Sequence, residues 1–197
     1  MGWAAFLDAC VLHPWATADL LLRLSEKYVY RVLWSPDVLD ETRRSLVQNA
    51  GLTEEQADHR IAKMEEAFPE ALVTGYSDLV PAMRNDPGDR HVLAAAVVGK
   101  ADVIVTDNPM HFPETVCGAF DLEIQTADQF LMHSLSLYPD VVAGVFLDQV
   151  HGSQPPASLE DALSRAEGRL PLFVEGLKAD PVILSRLGSK QPGEPGP

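Results

Sequence analysis

Short apolar runs alternate with helical patterns along most of the chain, and this alternation limits the possible folds more than any other feature. Runs rich in apolar, aromatic or β-branched residues predict strands at residues 4–7, 28–34, 71–74, 101–106 and 122–125. Stretches with apolar residues at helical spacing separate these runs. Because strands that alternate with helices form parallel sheets with helices on both faces, the sequence predicts an α/β fold.

Local signals predict where several helices begin and end. Ser35-Pro36 opens a helix, with serine as the N-cap and proline at the first helical position, and Gly51 supplies a left-handed residue after its end. The stretch Thr53–Gln56 is a capping box for the next helix. Gly99 is expected to close the helix rich in alanine and valine that precedes it. Residues 77–88 contain proline, asparagine and glycine and are predicted to be mostly loop.

The alternating pattern also suggests how the chain is divided. A chain of 197 residues is long enough for one domain with a substantial core. We expect that domain at residues 1–138, where strand and helix patterns alternate. Residues 139–190 predict a helical C-terminal extension, and the tail at residues 191–197, rich in proline and glycine, is predicted to be disordered.

Composition and cysteine usage exclude several classes of protein. Hydrophobic residues make up 46% and charged residues 22%, which is typical of an ordinary globular protein. No apolar run approaches the roughly 20 residues needed to cross a bilayer. The first residues lack the basic leader of a signal peptide, so we expect a cytoplasmic protein. The two cysteines, Cys10 and Cys117, match neither a disulfide framework nor a zinc site, and Cys10 is interpreted as small core filler.

The acidic charge of the chain bears on its partners. Acidic residues outnumber basic ones by 29 to 15, which gives a net charge of −14. Nucleic-acid-binding proteins usually carry a basic surface, because neutralisation of phosphates drives their affinity. The charge therefore argues against tight, non-specific binding of nucleic acid. It is compatible with a local basic patch beside a metal ion, or with docking to a basic partner.

Two acidic residues, Asp8 and Asp107, directly follow apolar strands. Ligands of open α/β sheets bind outside the carboxyl ends of the strands, so acids on neighbouring strands would point into one crevice. For either residue alone, a role in turn formation is an equally good explanation. The occurrence of both favours a functional site.

Two further acids belong to helices. Glu41 lies at the border of the apolar stripe of its helix, from which a carboxylate can reach a crevice; the alternative is a solvated residue on the helix flank. Asp89 stands at the start of a helix, where it could serve only as an N-terminal cap. His91 and His111 lie nearby in the sequence and are interpreted as surface or supporting residues, not as ligands.

Several carboxylates with few other donors form the ligand set of a hard cation, Mg²⁺ or Mn²⁺. We predict that Asp8, Glu41, Asp89 and Asp107 form a catalytic group, in which Asp8, Asp89 and Asp107 bind the metal. Such a centre activates a water molecule and stabilises the charge that develops on a phosphate. Because crowded carboxylates repel one another, the site without metal should be strained or partly protonated.

Four segments resemble PIN-domain ribonucleases, the fold of the VapC-type toxins of bacterial toxin–antitoxin pairs. The segments are Phe6–Leu12, Ser35–Glu41, Asp86–Ala96 and Val103–Pro113, and their order and spacing cover residues 4–138. The third is the most specific and the second the least. The resemblance implies a PIN-like three-layer α/β/α sandwich, in which a five-stranded parallel sheet places the first strand beside the fourth.

The resemblance also implies an activity, which is Mg²⁺- or Mn²⁺-dependent endonucleolytic cutting of RNA. Asp8, Glu41 and Asp89 would form the acidic core, and Thr106 resembles the hydroxyl residue that the family carries near the metal. A toxin of this kind would have an antitoxin protein as its partner and would form a homodimer. The C-terminal extension resembles that of a longer PIN subfamily.

Two positions depart from the family pattern. Many relatives carry their fourth acid at the position of Asn108, and Asp107 precedes that position by one residue. Either Asp107 or Asn108 therefore fills the fourth position of the metal site. Position 10 is often asparagine, serine or threonine in relatives, and Cys10 offers a poorer hydrogen bond there.

Other classes fit parts of the pattern. A haloacid-dehalogenase phosphatase needs a second aspartate where Cys10 stands, and a response-regulator receiver needs an acidic neighbour that Asp8 lacks. A PIN-like module that no longer cuts and acts by binding a partner fits the acidic charge and Asn108. The intact Asp8, Glu41 and Asp89 oppose that last interpretation.

Overall fold

A computed structural model describes residues 3–153 and 157–179, together with Pro181, Leu184 and Ser185. The described residues form two compact units. One consists of those in Met1–Ala18 and Tyr30–Ala127, and the other of those in Asp19–Val29 and Asp128–Pro197. The domain boundary after residue 138 and the three-layer arrangement stay predictions. The tail predicted to be disordered, residues 191–197, lies outside the described residues.

The described residues contain both strands and helices. The strands are β1 Ala4–Leu7, β2 Arg31–Leu33, β3 Val103–Val105 and β4 Glu123–Gln125. The α-helices are α1 Ala9–Leu12, α2 Trp15–Glu26, α3 Pro36–Gln48, α4 Glu54–Ala67, α5 Arg90–Gly99, α6 Glu114–Cys117, α7 Ala127–Leu137, α8 Pro139–His151, α9 Leu159–Glu167 and α10 Pro171–Ala179. Short 3₁₀ helices cover Ser77–Ala82, Pro87–Asp89, Pro109–His111 and Gly118–Phe120.

The strands form one parallel sheet in the order β2-β1-β3-β4. In the register of β1, Phe6 pairs with Leu33 of β2 and with Ile104 of β3. All residues of β1 are buried, and because successive side chains of a strand point to opposite faces, both faces of the sheet are covered along this strand. The predicted α/β class is confirmed, as is the predicted pairing of the first strand with the strand that precedes Asp107.

The predicted five-stranded sheet is corrected to four strands with a single bridge at one edge. The predicted third strand, residues 71–74, forms one parallel bridge in which Trp34 N donates to Ala71 O (3.0 Å) and Val73 N donates to Trp34 O (2.8 Å). The pairing stops because the chain turns soon afterwards at Gly75, whose φ is +78°.

The predicted strand at residues 28–34 is also shorter than expected, since β2 covers only Arg31–Leu33. Helix α2 continues to Glu26, and Tyr28 adopts a left-handed conformation with a φ of +59° and an exposure of 93%. The aromatic and β-branched composition suggested strand, but a turn occupies its first residues.

The predicted helix signals before α3 and α4 are confirmed. Ser35 Oγ accepts from Val38 N at 3.3 Å, and Pro36 is the first residue of α3. Gly51 has a φ of +70° after that helix. At α4, Thr53 Oγ1 accepts from Gln56 N (3.2 Å) while Gln56 Oε1 accepts from Thr53 N (2.9 Å), which completes the capping box.

Gly99 has a different role from the one predicted, since it is the last residue of α5 and Lys100 takes the left-handed conformation (φ +53°). A Cβ atom at position 99 would lie 2.8 Å from Val73 Cγ2 and 3.2 Å from Leu33 Cδ1. Glycine is therefore required here by close packing of α5 against the β2 edge of the sheet, not by its backbone freedom.

The second unit contains the helices predicted in the C-terminal region. The rings of Phe146 in α8 and Phe173 in α10 meet edge to face, with centroids 6.0 Å apart. The Asp128 carboxylate accepts from the backbone N–H groups of Leu172 (3.0 Å) and Phe173 (2.9 Å), and so satisfies donors in the first turn of α10. Among the described residues, no helix is long and apolar enough to span a membrane.

Gly99→Ala should destabilise the first unit by about 1–3 kcal/mol, because the added methyl group overpacks a filled space. Gly118→Ala is the matched control, since a Cβ atom there would meet nothing within 4 Å and the backbone is already helical (φ −62°). Urea denaturation of the wild type and both variants measures the effect. Equal loss of stability in the two variants would contradict the packing explanation.

Candidate functional site

The site begins where β1 and β3 end side by side at the carboxyl edge of the sheet. Asp8 N donates to Val105 O at 3.1 Å, which carries the pairing of the two strands to the first residue beyond β1. The Asp8 side chain then caps α1, because its Oδ1 accepts from Ala9 N at 2.6 Å. Its Oδ2 accepts from Thr106 Oγ1 at 2.7 Å. With an exposure of 4%, Asp8 is a buried carboxylate fixed at both oxygens.

Cys10 belongs to this site, and its interpretation as core filler is wrong. It lies in α1 and is half-buried. Its Sγ donates to Asp8 Oδ2 (3.2 Å), lies 3.4 Å from Thr106 Oγ1 and accepts from Asp107 N (3.1 Å). Burial, and then the Asp8 charge, raises the pKa of the Cys10 thiol to about 12, so it is a neutral donor and acceptor that ties the two strand ends together.

The environment of Asp8 disfavours the charged form of its carboxyl group. Burial raises the pKa of Asp8 above the ordinary value of 3.8, and hydrogen bonds from Thr106 and Cys10 oppose this effect. The negative charge of Asp89 raises the pKa further. Asp89 is therefore near enough for its charge to act on the Asp8 carboxyl, while the membership of both in one metal site stays a prediction.

Asp89 occupies the N-cap position of α5, as the alternative interpretation predicts, but it does not cap the helix through its side chain. Instead its Oδ2 lies 2.7 Å from His111 Nδ1, across 22 residues of sequence. Asn85 Nδ2 donates to Asp89 O at 3.0 Å and fixes the backbone of this turn. The Asp89 carboxylate is thus directed by a histidine beyond β3.

A compact group forms around this contact. Ligand atoms of Asp86, Asp89 and His111 all lie within 4.8 Å of one another. In the part of the chain that the structure describes, it is this trio, and no three of the four predicted acids, that meets such a distance. Sequence reasoning missed Asp86 and gave His111 only a supporting role. The available signal was the spacing of Asp86 three residues before Asp89.

Glu41 faces the site through a histidine. His91 Nε2 lies 3.5 Å from Glu41 Oε1, a distance of an ion pair that is too long for a good hydrogen bond. Burial, the largest single effect, would lower the pKa of His91, but the Glu41 carboxylate together with Asp37 and Asp8 raises it above 6.5. The Glu41 side chain is half-buried, and its predicted position at the edge of a crevice stays a prediction.

The two candidates for the fourth position differ in burial. Asp107 is half-buried, and its backbone N donates to Cys10 Sγ. Asn108 is exposed, and its backbone N donates to Thr106 Oγ1 at 3.1 Å. Thr106 itself is fully buried and connects Asp8 with the loop after β3. The roles of all these residues in catalysis stay predictions.

Comparison with known proteins gives two matches. The family described as "PIN domain" matches residues 4–109, which is more than half of the chain. The chain is also similar to a protein of Mycobacterium tuberculosis named "Putative ribonuclease VapC50", with 38% identity over 104 residues. That alignment covers 52% of this chain and 62% of the relative, so the chain spans less than two thirds of the length of the protein it matches. No solved structure matches the chain significantly.

The raised pKa of Asp8 predicts a pH dependence of stability in the metal-free protein. The folded state holds a proton on Asp8 more readily than the unfolded state, whose pKa is 3.8. The contribution of this group to stability therefore falls as pH rises from 3.8 through the higher pKa of the folded state. Asp8→Asn, which carries no charge, should therefore gain stability relative to the wild type as pH rises above about 4. Urea denaturation in EDTA across this range provides the measurement.

Asp78→Asn is the control for that comparison, because Asp78 is an exposed carboxylate on the 3₁₀ helix Ser77–Ala82. Its stability should follow that of the wild type at every pH. A difference between wild type and Asp8→Asn that does not change with pH would contradict the buried-charge account.

Proposed function

This chain belongs to the PIN-domain family, and we propose that it is a Mg²⁺- or Mn²⁺-dependent endoribonuclease. The observation that carries the proposal is the buried carboxylate of Asp8, fixed by Thr106 at the carboxyl edge of the sheet and within reach of the charge of Asp89. The similarity to a protein named as a ribonuclease supports RNA as the substrate.

Carboxylate oxygens are the donors that a hard divalent cation prefers, and Asp8 presents one at this edge of the sheet, within reach of the charge of Asp89. The pKa of Asp8 is raised by burial and by Asp89, so a nearby positive charge would relieve an unfavourable arrangement. We assign Asp8, Asp89 and Asp107 as ligands. Among the described residues their ligand atoms do not all lie within 4.8 Å of one another, whereas those of Asp86, Asp89 and His111 do, so joint binding requires Asp89 or Asp107 to turn towards Asp8. A bound Mg²⁺ or Mn²⁺ would supply Lewis-acid activation of water and compensation of the charge that develops on the phosphate.

The protein's own groups orient the ligands and the reactants. Thr106 and Cys10 hold one oxygen of Asp8, while Ala9 N holds the other, so the carboxylate has little rotational freedom. Glu41 retains a partly exposed carboxylate beside His91. We assign Glu41 to orienting the attacking water and accepting its proton, with His91 as its neighbour in the site.

Asp8→Asn should reduce metal-dependent cleavage on the order of 100-fold or more, since loss of even an indirect partner of a metal ligand costs 10–100-fold. The assay is digestion of total cellular RNA with MnCl₂ or MgCl₂, resolved on a denaturing gel. EDTA should abolish cleavage by the wild type. Asp78→Asn, an exposed carboxylate outside the site, should cut like the wild type.

Equal cleavage by wild type and Asp8→Asn, or cleavage in EDTA, would refute the proposed site. The same pair of proteins tests the role of a toxin when each is expressed in growing cells, where only the wild type should slow growth. Equal growth would exclude an RNase toxin. The proposed toxin would act on cytoplasmic RNA as a homodimer and would be neutralised by an antitoxin protein.

For the fourth metal position, we favour Asp107, because it is the more buried of the two candidates and its backbone is fixed to Cys10. Asp107→Asn should weaken Mn²⁺ binding about tenfold, because the charge of the ligands sets the affinity of such sites. Asn108→Ala should change it less than about twofold, since no charged ligand is lost. Isothermal titration calorimetry with MnCl₂ compares the two, and the reverse order would assign the position to Asn108.

A second candidate function is a PIN-like module that binds a partner and does not cut. The exposed Asn108 at the usual position of an acid and the net charge of −14 favour it. A protein with that function has no reason to bind Mn²⁺ at this edge of the sheet. The calorimetric titration of the wild type therefore separates the two candidates before any RNA is chosen.

A further inference from the structure

A large aromatic side chain lies open to solvent a few residues beyond the candidate active site. Trp15, at the start of α2, has an exposure of 67%. Tryptophan is mostly buried in folded proteins, because its ring carries a large apolar surface. Among the residues that the structure describes, its ring is contacted by Arg60 of α4, whose Cζ lies 4.8 Å from the ring centroid. Most of the indole is therefore available to a ligand.

Arg60 is held in place by the backbone beside Trp15. Its Nη2 donates to Leu12 O at 2.7 Å and its Nη1 to His13 O at 3.4 Å. These carbonyl groups lie at the C-terminal end of α1. The guanidinium is thus fixed before a ligand arrives, and it supports the indole with a cation–π contact. A preorganised pair of this kind loses little conformational freedom when it binds.

The same short helix connects this pair to the candidate active site. Asp8 caps the first turn of α1, and Arg60 binds the carbonyl groups at its other end. From Asp8 to Leu12 the helix rises about 6 Å, at 1.5 Å per residue. The three steps from Leu12 to Trp15 add at most about 11 Å. Trp15 therefore lies within roughly 17 Å of Asp8, which is the length of about five stacked nucleotides.

The charge of the protein favours a stacking contact over a basic channel. With a net charge of −14, the chain has few positive groups with which to neutralise phosphates. Stacking of bases on aromatic rings needs no such neutralisation, and single-stranded RNA is recognised in this way. A second copy of the chain or a protein partner could also cover Trp15. The fixed Arg60 and the proximity to Asp8 favour RNA.

We propose that Trp15 and Arg60 form a nucleobase-stacking subsite for single-stranded RNA, on the strand that enters the candidate active site. The inference rests on the proposed endoribonuclease function, which it deepens by assigning a subsite for the substrate. In the subsite, a base stacks on the open face of the indole while Arg60 contributes positive charge.

Binding is tested without metal, so that it is independent of cleavage. The probe is a fluorescein-labelled oligoadenylate of ten nucleotides, compared with an abasic oligonucleotide of the same length, by fluorescence anisotropy in EDTA. Trp15→Ala should weaken oligoadenylate binding about 5- to 100-fold, the range expected for loss of one stacked base. Trp15→Phe should retain most of the affinity. Binding of the abasic probe should be equal in wild type and Trp15→Ala.

Tyr28→Ala is the matched control, because Tyr28 is an aromatic residue with an exposure of 93% on the second unit. Its affinity for oligoadenylate should equal that of the wild type. Thermal unfolding of each variant shows whether the fold is intact. In MnCl₂, Trp15→Ala should raise KM by the same factor as Kd and leave kcat within about twofold, as expected for a residue that only binds substrate.

The outcomes separate the subsite from the nuclease function. Equal oligoadenylate affinity of wild type and Trp15→Ala overturns the subsite, as does no measurable binding by the wild type. An equal loss on the abasic probe overturns it as well, because the contact would then be to the backbone. If Trp15→Ala leaves RNA binding intact but dissociates copies of the chain in analytical ultracentrifugation, Trp15 is a protein contact and the subsite is overturned. Binding through Trp15 without any cleavage upholds the subsite and refutes the nuclease.

Discussion

The parallel pairing of β1 with β3 is the constraint on which the candidate site depends. Leu7 pairs with Val105, and the backbone bond from Asp8 N to Val105 O keeps the register to the end of the strand. Thr106 directly follows β3, and its hydroxyl group can therefore reach the Asp8 carboxylate. A shift by one residue would turn these side chains to opposite faces of the sheet. The register thus determines the chemistry as well as the packing.

The site also concentrates electrostatic cost in the folded state. Asp8 is buried close to the charge of Asp89, and the hydrogen bonds from Thr106 and Cys10 only partly offset the burial that raises its pKa. A carboxylate in this environment persists because the sheet edge and α1 fix its position from both sides. The buried Asp8 carboxylate lowers the stability of the fold, and a cation bound beside it would compensate for that loss. The same buried charge would therefore favour binding of the proposed metal.

Local sequence patterns predicted the α/β class, several helix starts and the end of the first strand, because the apolar run stops at Asp8 and caps act within a few residues. Ser35 and the Thr53 capping box form as expected. The patterns failed where partners are distant in sequence. Asp89 has the local features of a cap, but its carboxylate forms a hydrogen bond with His111, which lies 22 residues away in the sequence. The contacts of Cys10 with the loop after β3 and the close packing of Gly99 against Val73 likewise depend on the tertiary fold.

The net charge of −14 then limits how a nuclease of this kind could hold RNA. Affinity that comes from phosphate neutralisation grows with the number of cations at the interface, and falls with salt in proportion to that number. One fixed arginine beside an open indole neutralises few phosphates. Contacts with bases would therefore contribute more of the affinity than contacts with phosphates. Bases are open to stacking only in loops, bulges and unpaired segments. Selection of unpaired RNA would thus follow from the acidic surface itself, because a strand that offers only its phosphates would be repelled.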